Sequence, residues 1–460
     1  MSLPLYFLYL CALKKAEYMY RNDIIVASAT ALGGAIAVIR MSGEGSIALC
    51  DTLFKGRKPL AESASHTIHY GTICDGERVV DDVVVALFRA PRSYTGEESV
   101  EISIHGSRYI ASEVMRLLCE GGARMAEAGE FSQRALAAGR IDLSQAEAVA
   151  DLIAAESRAA HAVAATQMRG GYSTLLESLR EELLAVTSLL ELELDFGEED
   201  VEFADRERLG QMLEKTDGVV TRLMESFRVG NAIREGVAVA IVGRPNVGKS
   251  TLLNCLVGDD RAMVSDIAGT TRDTIEESVV IDDIRFRFVD TAGLHDTDDR
   301  LEQMGIERTE RAIREAQVVL YMTEPSQTEL ELPTISEEQT LLVVVNKMDT
   351  SDKRDREGAI YISAREGEGI DSLRQALRAT VDTEGLYRGE VVVSDMRHFE
   401  ALNRAHNHLG EALQALCNGT SEELLAEDIR YAINALAEIT GHITSDDILH
   451  NIFSHFCIGK

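Results

Sequence analysis

The chain has 460 residues, 45% of them hydrophobic, with 6 Pro and no Trp, which is ordinary globular material long enough for roughly two to four domains with real cores. Lys plus Arg number 46 against 77 Asp plus Glu, a net charge of -31, so overall charge excludes a general affinity for phosphate backbones; a nucleic-acid substrate would need a local basic patch or a basic partner. The seven cysteines (Cys11, Cys50, Cys74, Cys119, Cys255, Cys417 and Cys457) are scattered without C-x-x-C pairs, which excludes a disulfide framework or a cysteine zinc site and fits a reducing cytoplasm.

Residues 3–13 (LPLYFLYLCAL) are apolar but too short to span a bilayer, and residues 1–21 read as an N-terminal extension. No other segment could cross a membrane. Residues 22–140 mix strand and helix signals. Strands are expected at 24–28, 36–41, 67–74, 79–88 and 99–105, and helices at 45–54 and 107–120. Residues 141–235 change character. Ala-, Leu- and Glu-rich stretches such as 144–169 and 172–194 carry apolar residues at three- and four-residue spacing and predict long helices, and the acidic run 198–205 predicts a solvated loop or helix start. Helices return at 395–417 and 421–440.

Between the helical blocks, residues 236–382 carry nucleotide motifs in order. An apolar, β-branched run (237–242, VAVAIV) precedes GRPNVGKS (243–250), and a helix-like stretch begins at Thr251. A Gly-rich turn from strand to helix points backbone N–H groups into one concavity, where the helix N-terminus adds positive potential. Asn246, Val247, Gly248, Lys249, Ser250 and Thr251 are the candidate phosphate contacts; Lys249 suits the β- and γ-phosphates, and the Ser250 hydroxyl suits magnesium. Asp290, Thr291, Ala292 and Gly293 end the strand-like run 284–289, where a carboxylate can hold the magnesium shell and a glycine amide can approach the γ-phosphate.

Asn346, Lys347, Met348 and Asp349 end the strand-like run 341–345. The Asp349 carboxylate can accept from guanine N1–H and its 2-amino group, a donor pair that adenine lacks, so the motif reads as a choice of GTP over ATP. Ser363, Ala364 and Arg365 suit a loop closing over the base. Many small GTPases carry Gln directly after D-x-x-G to orient water, but here that position is Leu294. Something else must position water and supply positive charge. The histidines of the C-terminal helices (His398, His406, His408, His442, His450 and His455) form no convincing ligand set and read as structural or surface residues.

With these motifs, the stretch 266–273 (DIAGTTRD), the run 290–308 ending in GIER, and the terminus FCIGK (456–460), the chain resembles the MnmE (TrmE) family of tRNA-modification GTPases over residues 22–460. The resemblance implies a multidomain α/β plus all-α fold. It has an N-terminal α/β folate-binding-like and dimerisation domain (22–140), a helical domain in two parts (141–235 and 383–460), and an inserted Ras-like P-loop GTPase domain (236–382).

It further implies a cytoplasmic homodimer that pairs with the FAD-dependent protein MnmG (GidA). The pair uses 5-formyl- or 5,10-methylene-tetrahydrofolate to add a carboxymethylaminomethyl or aminomethyl group at C5 of the tRNA wobble uridine. GTP hydrolysis to GDP would be potassium-stimulated, with loops 261–273 and 291–305 as switches.

By the same resemblance, potassium takes the Asn246 side chain and oxygens of Ser265, Ile267 and Thr270; Asp266, Ala268 and Gly269 complete that nucleotide loop; and Thr271 joins Ser250 on magnesium. Glu302 matches the catalytic glutamate that orients water. Arg40, Glu101, Arg140 and Lys460 match folate-contacting positions, although Arg140 stands where members commonly carry Lys, and His295 where they often carry Arg. Read without the resemblance, Arg40, Glu101 and Arg140 are ion-pair formers, and Cys457 is a small buried anchor for the tail; the resemblance makes Cys457 a functional cysteine of open role. An Era-like ribosome-assembly switch and a GTP-gated regulatory scaffold are the rival readings.

Overall fold

The computed structural model describes residues 23–195, 206–258, 277–289, 302–327, 329–351, 354–381, 390–444, 446–454, 456 and 459. The chain falls into two compact units, residues 1–150 with 437–460, and residues 151–436.

The first unit holds β1 (Ile25–Ser28), β2 (Ile36–Ser42), β3 (Phe54–Gly56), β4 (Thr67–Asp75), β5 (Arg78–Phe88), β6 (Ser99–His105) and β7 (Arg124–Met125), ordered β3-β4-β5-β6-β2-β1-β7. Its pairings are antiparallel except β1 with β7. Period-two alternation explains the faces. Ala37, Ile39 and Met41 on β2, and Val100, Ile102 and Ile104 on β6, are buried beneath helices Ser46–Leu53 and Arg108–Glu120. The intervening Arg40 and Glu101 therefore share the opposite face, and the β2–β6 register sets them directly across from each other. Helix Glu130–Ala137 and the short β3 and β7 were not among the expected elements. Residues 437–460 supply the end of helix Glu422–Thr440 and helix Asp446–Ser454, and Leu449, Phe453 and Phe456 pack with Leu143 and Ala146.

The Ala-rich stretch expected as one helix over 144–169 forms two, Leu143–Ala154 and Arg158–Met168. Ser157 accounts for the break. Its backbone is extended, and its hydroxyl accepts from Ala160 N at 3.1 Å, an N-cap that starts a new helix. Helices Gly171–Asp195, Arg206–Glu235 and Met396–Asn418 follow the three- and four-residue spacing. Phe227 stacks on Phe399 with centroids 4.6 Å apart, and Arg234 bonds Asp151 and Asp395 at 2.9 and 2.6 Å. His406 Nδ1 lies 2.6 Å from Asp217, and His408 Nδ1 lies 3.1 Å from Glu411. Among the described residues, no helix is long and apolar enough to cross a membrane.

The second sheet contains β8 (Val237–Gly243), β9 (Glu277–Ile281), β10 (Ile284–Phe288), β11 (Val318–Thr323), β12 (Thr340–Val345) and β13 (Ile360–Tyr361), ordered β13-β12-β11-β8-β10-β9. All pairs are parallel except β9 with β10. β8 is covered on both sides. Val237, Val239 and Ile241 join one apolar cluster, and Ala238, Ala240 and Val242 join another. Its unbroken apolar run is the signature of a parallel strand buried on both faces. The sheet order reverses at β8, and ligands of such sheets bind at the carboxyl ends of strands at that switch point.

Candidate nucleotide site

The loop after β8 is built for close backbone approach. Gly243 has φ 150°, and a Cβ there would meet Met322 O at 2.4 Å; Gly248 has φ 102°, and a Cβ there would meet Asn346 Nδ2 at 2.3 Å. A side chain at Gly243 would push the loop off β11, and one at Gly248 would displace the Asn346 amide. Asn246 also takes a left-handed φ of 61°.

Lys249, at the start of helix Lys249–Gly258, turns its ammonium back on the loop and donates to Gly243 O at 2.9 Å and Arg244 O at 3.2 Å. Burial holds its pKa below the usual lysine range. A half-buried cation whose partners among the described residues are two carbonyls, at a helix N-terminus, fits an incoming phosphate. Ser250 and Val247 stand in the same turn, and Thr251 is exposed one residue on.

The base loop is tied to the phosphate loop by Asn346. Its Nδ2 donates to Val247 O at 2.8 Å, and its Oδ1 accepts from Ala364 N at 2.9 Å. This buried side chain thus joins three loops from three strand ends. Lys347 Nζ adds a second strut to Asn246 O at 2.7 Å. The Ser363 hydroxyl donates to Asp349 Oδ1 at 2.9 Å, which fixes the carboxylate expected to read guanine. Arg365 is exposed, with Glu366 3.8 Å away. The structure therefore brings Asn246, Val247, Gly248, Lys249, Asn346, Lys347, Asp349, Ser363 and Ala364 into one slot.

Ser265, Asp266, Ile267, Ala268, Gly269, Thr270 and Thr271 lie outside the described residues, as do Asp290, Thr291, Ala292, Gly293, Cys457 and Lys460. Glu302 opens helix Glu302–Glu315, with its side chain outside the described part. Residues 302–305, expected within the loop 291–305, form the first turn of that helix. Ala312, Ile313 and Ala316 at helical spacing pack on the sheet and draw the preceding turns into the helix.

In the first unit Arg40 and Glu101 pair with each other. Arg40 Nε and Nη2 donate to Glu101 Oε1 at 2.9 and 2.8 Å. The guanidinium lies 5.6 Å from the Tyr94 ring centroid and 5.8 Å from that of Phe131, and Nη1 reaches Gly459 O at 3.4 Å. Arg140 is exposed, its stem against Gly96. Tyr94 and Phe131 carried no signal in the sequence, since nothing local marks an aromatic that brackets a distant arginine.

A switch-point sheet, a phosphate loop, and a base loop ending in Asp349 define a P-loop GTPase. Family models described as "GTP-binding protein TrmE N-terminus" and "MnmE helical domain" match residues 24–140 and 143–457. The tRNA modification GTPase MnmE of Bacteroides thetaiotaomicron is 46% identical over 463 residues, covering 95% of this chain and 100% of that protein. The protein of the same name from Christiangramia forsetii is 46% identical over 474 residues, covering 96% and 100%. Among solved structures, Aquifex aeolicus Era bound to GDP and AlF4- is 27% identical, with a TM-score of 0.24, covering 37% of this chain and 66% of that one. The chain belongs to the MnmE (TrmE) family.

Proposed function

We propose that this chain is a GTP hydrolase of tRNA wobble-uridine modification, working in the cytoplasm as a homodimer with the FAD-dependent protein MnmG. One observation carries the nucleotide half of the reading: Asn346 bonds Val247 O and Ala364 N at once and so holds phosphate loop, base loop and closing loop as one slot. Family membership carries the tRNA half.

In this reading Lys249 leaves its loop carbonyls for the phosphates, and the backbone N–H groups of the phosphate loop orient them. Ser250 and Thr271 would hold magnesium, and Asn246, with Ser265, Ile267 and Thr270, would hold potassium; when bound, these cations would supply positive charge beside the phosphates. Asp349 grips the guanine edge, and Glu302 orients the attacking water. Arg40, Glu101, Arg140 and Lys460 receive the one-carbon tetrahydrofolate in the first unit, where half-buried Tyr94 offers flat surface beside Arg40 and the buried Phe131 ring backs the guanidinium.

The test is steady-state GTP hydrolysis in KCl against NaCl at equal ionic strength. The expected result is a stimulation of tenfold or more that is specific to potassium and lost in Glu302→Ala while GDP binding is kept. Equal rates in both salts would sink the potassium mechanism and restore the Era-like switch.

A further inference from the structure

We infer that Glu324 is a positioning residue for guanine recognition, holding Lys347 across the gap between the base loop and the phosphate loop. The inference rests on the reading of this slot as a GTP site. Glu324 immediately follows β11 and belongs to none of the motifs. Its carboxylate pairs with Lys347 Nζ, which also donates to Asn246 O at 2.7 Å. Lys347 and Asn246 both take left-handed backbone conformations, φ 64° and 61°. Non-glycine residues hold that conformation when their surroundings impose it.

Glu324 itself stands on a fixed turn. Gln327 N donates to Glu324 O at 3.1 Å, and the Thr323 hydroxyl donates to Gln327 Oε1 at 3.0 Å. Arg356 clasps the same turn, donating to Thr323 Oγ1 at 3.3 Å and to Gln327 O. Lysine has a long stem and a mobile charge, so holding it in one place requires partners for the ammonium. Here one carbonyl and one carboxylate supply them.

The consequence concerns Asp349, two residues from Lys347. Without the Glu324 carboxylate, the ammonium keeps only the Asn246 carbonyl and can turn to another carboxylate, and Asp349 stands on the same loop. Pairing there would occupy the acceptor that the guanine N1–H and 2-amino group require. Glu324 thus protects guanine selectivity by keeping its neighbouring lysine engaged elsewhere.

The experiment measures dissociation constants for GDP and for IDP, which lacks the 2-amino group, on the full chain. The proteins are wild type, Glu324→Gln, Lys347→Met and the double variant. Glu324→Gln is expected to weaken GDP about tenfold and to narrow the GDP-over-IDP preference, a ratio that does not depend on how much of the sample is folded. In the Lys347→Met background the same change should add nothing, because its effect runs through that lysine. Unchanged constants and preference in Glu324→Gln, in a wild type that binds GDP, would overturn the inference and leave the GTPase reading standing. Independent, multiplying effects of the two substitutions would also overturn it. A wild type that fails to bind GDP would remove both.

Discussion

In the nucleotide slot the polar groups are fixed mainly by main chain: Lys249 on two carbonyls, and Asn346 on a carbonyl and an amide. In the N-terminal unit the charges are fixed by one another. Arg134 bonds Asp23, Glu97 and Glu130, and Arg124 bonds Asp23 and Glu130. Main-chain partners leave a side chain free to change allegiance when a ligand arrives. Charge partners hold it at any cost. The first arrangement suits a site that turns over, and the second suits a scaffold.

The largest separation of the two should come from Lys249→Ala. GDP affinity is expected to fall a hundredfold or more, read by titration, while stability in urea holds or rises slightly. The sign follows from burial. Lys249 titrates lower folded than unfolded, so its charged form costs stability below the folded pKa, and that cost fades as pH rises toward the ordinary lysine value. A clear loss of apo stability would show that the lysine is part of the scaffold after all.

Arg134→Met should do the reverse. Arg134 is 7% exposed, and its loss removes the cation beside Glu97 and leaves Asp23 and Glu130 to Arg124 alone, at about 3 kcal/mol of stability with GDP binding unchanged. Burial pushes Asp23 and Glu130 up, but their hydrogen bonds to Arg124 and Arg134 outweigh it and hold both carboxyls below the usual range. Their contribution is therefore complete above about pH 5 and drains away as pH falls through the depressed values. Urea midpoints between pH 3 and 6 should show a shallower acid limb in Arg134→Met than in wild type; parallel limbs would contradict the network.

The smallest effect is expected at Glu101→Gln. The Arg40–Glu101 pair is 19% and 30% exposed, so the stability change should stay under about 1 kcal/mol. Binding of 5-formyl-tetrahydrofolate should nonetheless weaken about tenfold. A full loss of stability with folate affinity intact would place this pair among the structural charges.

The legibility of the two regions differs for the same physical reason. The nucleotide motifs are short, each directly follows a strand, and the strands are continuous apolar runs such as VAVAIV, so local pattern located them. What escaped was the cross-loop wiring. Glu324 lies 23 residues from Lys347, and Asn346 lies 99 from Val247. In the N-terminal unit Arg40 and Glu101 were flagged separately, but their pairing depends on an antiparallel register over 61 positions that no local signal encodes. The split at Ser157 was missed because alanine-rich sequence reads as one helix, and a single capping serine carries little weight against it. Strands of two or three residues such as β3 and β7 escaped because they are too short to show alternation.

Phe453 and Phe456 pack with Leu143 and Ala146, and Gly459 O receives Arg40. On a ribosome the N-terminal sheet emerges first, hundreds of residues before the aromatic pair that completes its unit. The intervening GTPase sheet has time to form while that apolar surface still waits for its cover. The first-made part of the protein is thus finished only after residues 449–459 have been made, and a chain lacking those residues would be damaged in its N-terminal unit.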